Sequence, residues 1–98
     1  PRYCVEQNDL LVPLRYLNTH PGESDAIICA AMESIFDLPR GIACGIVDDW
    51  GQEFITPAIR RSLIKARQLS NNDVVTARID CLLAGKHFDI GKFLNKRK

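Results

Sequence analysis

The segment Ser70–Lys86, SNNDVVTARIDCLLAGK, has the pattern of a complete amphipathic helix. Asn71 and Asn72 are suited to cap its start, and Gly85 supplies the left-handed residue that ends many helices. At 100° per residue the segment forms one broad apolar face. That face consists of Val75, Ile79, Leu82 and Leu83. The pattern therefore predicts a helix over 73–84 with one face in the core of the domain.

A narrow edge of this helix has a composition of its own. It carries Val74, Ala77, Arg78 and Cys81. Small side chains around one long cation would let the helix approach the major groove of DNA while Arg78 contacts a guanine. The alternative is that Arg78 lies along the surface with its stem on apolar atoms. Asp73 and Asp80 argue against DNA on the neighbouring polar face, because carboxylates repel phosphates.

A second helix is predicted directly upstream, over 57–69. Thr56 is a suitable N-cap, and Pro57 occupies the first helical position, where a missing N–H costs nothing. The helix carries four basic residues and no acid: Arg60, Arg61, Lys65 and Arg67. About three residues separate it from the next helix, the spacing of an αα-hairpin or a helix-turn-helix unit.

The first half of the chain is less regular. We expect a short β-hairpin or irregular extended arm over residues 1–22, then a buried helix from Ser24 to about Leu38 that Pro39 terminates. A short helical turn at 42–46 and a loop should follow, with Trp50 folded back over the core. The predicted fold class is all-α, a compact bundle of four to five helices preceded by this arm. The helical core would span 23–85, and residues 86–98 would form a basic C-terminal segment.

The apolar residues of that C-terminal segment can pack back onto the bundle. They are Phe88, Ile90, Phe93 and Leu94. The basic residues around them include Lys92, Lys96, Arg97 and Lys98. The alternative for this basic terminus is a solvated tail without a ligand.

Length and composition limit the class of protein. A chain of 98 residues forms one domain, and no apolar run approaches the ~18 residues that a membrane span requires. The sequence starts at Pro1, so we interpret it as a domain of a longer protein. The four cysteines lack the close pairs of a structural zinc site, and a reduced intracellular domain is favoured over a disulfide scaffold. We expect no metal and no cofactor.

Charge is distributed unevenly along the chain. Residues 1–50 hold 3 basic and 8 acidic side chains, whereas residues 51–98 hold 10 basic and 4 acidic ones. A basic surface attracts polyanions through phosphate contacts and counterion release. Nucleic acid is therefore the favoured partner, and a basic helical half without such a ligand is the alternative.

An enzyme is not indicated. Cys44 with His20 or His87, and Asp48 with Asp49, are the only candidate catalytic sets, and their spacing matches no nucleophile or acid–base motif. No glycine-rich phosphate loop is present. His87, next to Lys86, is suited to a phosphate contact or to a structural role.

The run from Ala26 to Lys86 resembles the BEN domain, a small helical DNA-binding module of animal chromatin factors and some viruses. The family's "LF" pair corresponds to Ile35-Phe36-Asp37, and its "LDP" helix start corresponds to ITPAIRRSLIKA at 55–66. Its valine-proline piece is similar to LLVPLRYL at 10–17, so the resemblance covers about 85 of the 98 residues. The stretch 43–54 departs from the family, since it lacks the usual serine-rich, glycine-lysine loop.

The resemblance implies sequence-specific binding of double-stranded DNA by a nuclear transcriptional repressor or insulator factor. Its last helix would enter the major groove, and pairs of domains would bind palindromic sites alongside corepressor or chromatin proteins. Carried over by position, the last helix contributes Asn72, Thr76 and Arg78, and the following segment contributes Lys86 and His87. From the charges alone we add Arg60, Arg61, Lys65 and Lys92 as DNA-binding residues.

A helical protein-interaction module of a chromatin or signalling scaffold is the alternative function. It would use an acidic surface rather than the basic one. That surface would consist of Glu23, Glu33, Asp37, Asp48 and Asp49.

Overall fold

The computed structural model describes the backbone of residues 2–96 and the side chains of residues 10–95. Within residues 2–96 the chain forms six α-helices and one short 3-10 turn, without a strand. The helices are α1 (Arg2–Leu17), α2 (Asp25–Met32), α3 (Asp37–Trp50), α4 (Pro57–Leu69), α5 (Asp73–Leu83) and α6 (Ile90–Lys96), and the 3-10 turn is Gln52–Phe54. The predicted all-α class is confirmed, with one helix more than the four to five expected.

Helix α3 lies at the centre of the bundle. It packs against α1, α2 and α5, while α4 packs against α2 and α5. The largest fully buried side chains come from all five of these helices: Leu14, Leu17, Ile28, Met32, Val47, Ile59, Leu63, Ile79 and Leu82. The core therefore begins well before residue 23, where the predicted helical core started.

The arm predicted for residues 1–22 is wrong, because α1 occupies most of that range. Leu10, Leu14 and Leu17 recur at helical spacing, and Leu14 and Leu17 are fully buried. A proline inside a helix costs about 3 kcal/mol. Burying two leucines contributes about 1.5–3 kcal/mol each and offsets the cost of Pro13. The side chains of Tyr3, Cys4 and Val5, which suggested a strand, lie outside the described residues.

The helix predicted from Ser24 to Leu38 is two helices with a break between them. The side chain of Ser24 accepts a hydrogen bond from the Ile27 N–H and caps α2, as expected. In the break, Ser34 Oγ accepts the Phe36 N–H at 3.1 Å. Buried Arg40 donates to the Ser34 carbonyl at 2.7 Å and pairs with Asp37. These bonds satisfy the polar groups that the interrupted helix leaves open.

Pro39 does not terminate a helix. It lies in the first turn of α3, where its absent N–H would have had no partner. The helix then continues through the region predicted as a turn and a loop, as far as Trp50. Trp50 does fold back over the core: its side chain is buried, and Nε1 donates to the Leu17 carbonyl at 2.9 Å.

The predictions for α4 and α5 are confirmed almost to the residue. Thr56 Oγ1 accepts the Ile59 N–H with Pro57 next to it, and Asn72 Oδ1 accepts the N–H groups of Val74 and Val75. Asn71 takes no part in this cap. The connection is residues 70–72, so the two helices form the expected hairpin.

Helix α5 ends in a Schellman motif centred on Gly85. Gly85 has a φ of 76°, the Lys86 N–H donates to the Cys81 carbonyl at 2.8 Å, and the Gly85 N–H donates to Leu82. The motif reverses the chain and brings Phe88 into a buried position. Ile90 and Leu94 remain about half exposed, so the predicted apolar set packs back only in part. Arg97, Lys98 and the side chain of Lys96 lie outside the described residues.

Candidate nucleic-acid interface

The side chain of Arg78 points along the surface toward α3. Its exposed fraction is 26%, and its Nε lies 3.6 Å from Asp48 Oδ2, an ion pair too long to be a hydrogen bond. A Cβ added to Gly45 would lie 3.1 Å from its Nη1, so the guanidinium occupies space that the glycine leaves open. Its central carbon is 5.2 Å from the Phe88 ring centre, within cation–π range. The stem-on-surface alternative describes this placement well.

Asp48 is the partner that organises this region. Its side chain is only 5% exposed, yet it contacts both Arg78 and His87, whose Nδ1 lies 3.0 Å from Asp48 Oδ1. A buried carboxylate requires such partners, because desolvation of an unpaired charge is costly. The pair of contacts fixes the start of the C-terminal segment against α3 and α5.

That segment forms the opposite wall of a groove beside the small-residue edge of α5. Ala77 and Cys81 face this groove of about 400 Å³, whose other wall includes Phe88 and Phe93. The edge predicted to approach DNA is therefore lined by the protein's own chain. On the polar face, Asp80 is exposed and accepts the Arg67 guanidinium at 2.6 Å.

Asn72 and Thr76, the two other positions carried over from the family, are engaged locally. Asn72 uses its side-chain oxygen for the cap of α5. The Thr76 hydroxyl donates to the Asn72 carbonyl at 3.0 Å. The Asn72 side-chain amide nitrogen has no hydrogen-bond partner within the described residues, and the side chain is exposed.

Within residues 10–95, two of the four basic residues of α4 form ion pairs and two do not. Lys65 pairs at 3.2 Å with Glu33, the residue that follows α2, and Arg67 pairs with Asp80, which raises the pKa of the Arg67 guanidinium. Arg60 reaches across the hairpin and donates to the Leu83 carbonyl at 3.1 Å. Arg61 is exposed and forms no ion pair within residues 10–95. Lys65 therefore faces α2, away from the hairpin contact made by Arg60.

The structure does bring three of the predicted residues together. Lys86, His87 and Lys92 line the same groove beside α5. Arg60 lies at the nearby end of the hairpin, since it contacts the last residue of α5. These four side chains are all exposed.

The predicted acidic surface is largely engaged within the protein. Glu33 accepts the Ser62 hydroxyl at 2.6 Å as well as Lys65, and these bonds hold the pKa of its carboxyl below the ordinary value. Asp48 is buried, Asp37 pairs with Arg40, and Glu23 accepts the Tyr16 hydroxyl at 2.8 Å. The Tyr16–Glu23 bond raises the pKa of Tyr16. Asp49 is exposed and has no such contact within the described side chains.

The residues of each candidate catalytic set differ in burial and in partners. Cys44 is buried, and desolvation raises the pKa of its thiol to about 12, while His87 is directed at Asp48 instead. Cys29, Cys44 and Cys81 are free thiols. In the part of the chain that the structure describes, no cluster of three or more His, Cys, Asp or Glu side chains could hold a metal ion. Over the same residues, no helix combines the length and apolarity needed to cross a bilayer.

Sequence reasoning missed the role of Asp48. Its partners Arg78 and His87 are 30 and 39 residues away, so no local spacing signals the contacts. One indication was available: Asp48 lies four residues after Cys44 and thus on the inner face of a helix, had α3 been predicted to continue. Comparisons with family models, with curated proteins and with solved structures found no match for this chain.

Proposed function

We propose that the domain binds double-stranded DNA through a cationic surface made by the start of α4 and the segment after α5. One observation supports this most directly. Arg61, Lys86 and Lys92 are exposed and form no ion pair within residues 10–95, and Arg60 uses only a backbone carbonyl. Uncompensated cations on adjacent elements favour a polyanion with regularly spaced phosphates. The resemblance to the BEN domain favours duplex DNA as that polyanion.

His87 completes this surface in the proposal. Its Nδ1 faces Asp48, and the imidazole is 72% exposed, so its other nitrogen can donate to a phosphate oxygen when the ring is protonated. Lys65 joins the phosphate contacts only by exchanging Glu33 for DNA. We therefore expect Lys65 to contribute less than Arg61 to the affinity for DNA.

Base reading is assigned to Arg78, with Asn72 and Thr76 beside it. Arg78 would have to rotate away from Asp48 and Phe88 to reach a base edge. Contacts with DNA must offset the free-energy cost of this rotation. A bidentate contact to guanine, worth about 1–3 kcal/mol, offsets it in part. The proposal extends to a nuclear repressor or insulator factor that binds palindromic sites in pairs.

A protein-interaction role through the acidic surface is the weaker candidate. Asp48 is buried, and Glu33 and Asp37 already pair with basic side chains. Only Asp49 of that set is exposed without a contact within residues 10–95.

Selection from a random duplex library at two salt concentrations tests the proposal. We expect the selection to enrich a sequence motif. The affinity of the protein for this motif should fall as the salt concentration rises. The double substitution Arg60→Ala/Arg61→Ala should flatten the salt dependence by about one unit of log–log slope for each phosphate that the protein no longer neutralises. Arg15→Ala, at an exposed arginine of α1, is the control and should leave the slope unchanged. Absence of any enriched motif, or equal effects of the two changes, would overturn the proposal.

A further inference from the structure

We propose that the groove between α5 and the segment 86–93 binds an acidic amphipathic peptide segment of another protein. The less exposed lining of this groove is apolar. It consists of Ala77, Cys81, Phe88 and Phe93. Phosphates gain nothing from such a lining, whereas leucine-sized or aromatic side chains would bury apolar area there at roughly 25 cal/mol per Å².

The exposed lining of the groove is cationic. Its cations are Lys86 and Lys92, the His87 ring lies beside them, and Asp89 is the one acid of this lining. Asp89 is used locally, since its Oδ1 accepts the Lys92 N–H at 3.1 Å at the start of α6. The groove therefore presents positive charge around an apolar floor, which complements a segment with carboxylates beside apolar side chains.

The volume of the groove is sufficient for the apolar side chains of such a peptide. About 400 Å³ is within the range of ligand pockets and accommodates two or three apolar side chains. The floor is fixed before binding, because Phe88 is held by the Arg78 guanidinium and by the tilted ring of Phe93, with ring centres 5.8 Å apart. A fixed floor lowers the ordering cost of association.

The apolar face of α6 extends the same surface. Ile90 and Leu94 lie one helical turn apart and are 48% and 49% exposed. An amphipathic helix laid along the groove would cover both side chains as it places its own apolar residues between α5 and α6.

The test uses the complete 98-residue chain and two synthetic peptides. Both carry Leu and Phe on one helical face; one has Glu at the remaining positions and the other has Gln. We expect the Glu peptide to bind saturably in an NMR titration and to shift the amide signals of residues 77–93. Lys86→Glu should weaken its affinity about tenfold or more, because an attractive contact becomes repulsive. Arg15→Glu, at an exposed cation of α1 away from the groove, is the matched control and should change affinity less than about twofold.

Four outcomes would overturn the inference. These are no saturable binding, equal binding of the Gln peptide, an equal reduction from Arg15→Glu, and a concentration-dependent dimer in sedimentation that occupies the groove with a second copy. Duplex DNA is measured in parallel with the same variants. A chain that binds the Glu peptide but no DNA would overturn only the proposed function, and a chain that binds DNA but no peptide would overturn only this inference.

Discussion

Arg78 and Asp48 join α5 to α3 through an ion pair in which Nε lies 3.6 Å from Oδ2 and the carboxylate is almost fully buried. The same carboxylate holds His87 at 3.0 Å. One acid of the first half of the chain thus compensates a cation from α5 and fixes the segment that follows it. The position of the proposed DNA surface depends on this contact.

Asp48→Asn should destabilise the protein by about 2–3 kcal/mol. Breaking a buried pair typically costs about 3–5 kcal/mol, and partial exposure of Arg78 reduces the loss. Urea unfolding measures the change. Asp49→Asn, at the adjacent exposed residue, is the control and should stay within about 0.5 kcal/mol. If both substitutions change the free energy of unfolding equally, the buried carboxylate of Asp48 makes no special contribution to stability.

Arg78→Lys should separate base reading from folding. Lysine keeps a positive charge toward Asp48, so we expect most of the stability to remain. It lacks the planar fork that recognises guanine, so base preference should relax by about 1–3 kcal/mol of discrimination. Competition between the selected duplex and a scrambled one measures this. An unchanged preference would remove Arg78 from the base-reading role.

Two glycine substitutions in α3 should differ in their effect on stability. At Gly41 a new Cβ would meet Val75 at an ordinary 3.5 Å, so Gly41→Ala should stabilise the helix by about 0.5–1 kcal/mol. At Gly45 the Cβ would press on the Arg78 guanidinium at 3.1 Å. We expect the gain from Gly45→Ala to be smaller by about 0.5–1 kcal/mol, because the ion pair with Asp48 must shift. Equal unfolding midpoints for the two variants would contradict this placement of Arg78.

Glu33 should contribute to the loss of stability in acid. Hydrogen bonds from Ser62 and Lys65 lower the pKa of Glu33 below the ordinary 4.5. A group whose pKa is lowered by folding stabilises the native state above its unfolded pKa and ceases to do so as the pH falls through the folded pKa. The contribution is therefore present at neutral pH and lost below about pH 4.5.

Glu33→Gln should flatten this acid limb of the stability profile, by a modest amount because the carboxylate is 38% exposed. Unfolding free energies measured across the acid range up to neutral pH give the profile. Glu53→Gln, at an exposed acid outside these contacts, is the comparison. If both variants keep the slope of the original protein, the Ser62–Glu33 contact has no energetic role.

Cys44 should resist alkylation in the native protein. With a thiol pKa of about 12 and a buried side chain, almost no thiolate is present or accessible at mildly alkaline pH. The partly exposed Cys29 and Cys81 should be modified first by iodoacetamide, as peptide mass mapping would reveal. In urea the difference should disappear, and early modification of Cys44 without denaturant would contradict its burial.

The predictable parts of the fold are those with strong local end signals. Thr56-Pro57, Asn72 and Gly85 each satisfy or terminate a helix through groups only a few residues away, so α4 and α5 were predicted correctly. The helix end predicted at Pro39 is wrong because proline is equally compatible with the end of one helix and the first turn of the next. The rotation of Arg78 toward Asp48 depends on packing between distant segments, which no spacing in the sequence encodes.

Trp50 is the only tryptophan in the chain, and its indole N–H donates to the last residue of α1. The tryptophan fluorescence of the folded protein therefore originates from a single place, the junction of α1 with the end of α3. A buried indole emits at shorter wavelength than one in water, so detachment of α1 would shift the emission to the red even while the other helices stay folded. Undocking of the first helix can thus be followed optically without adding a label.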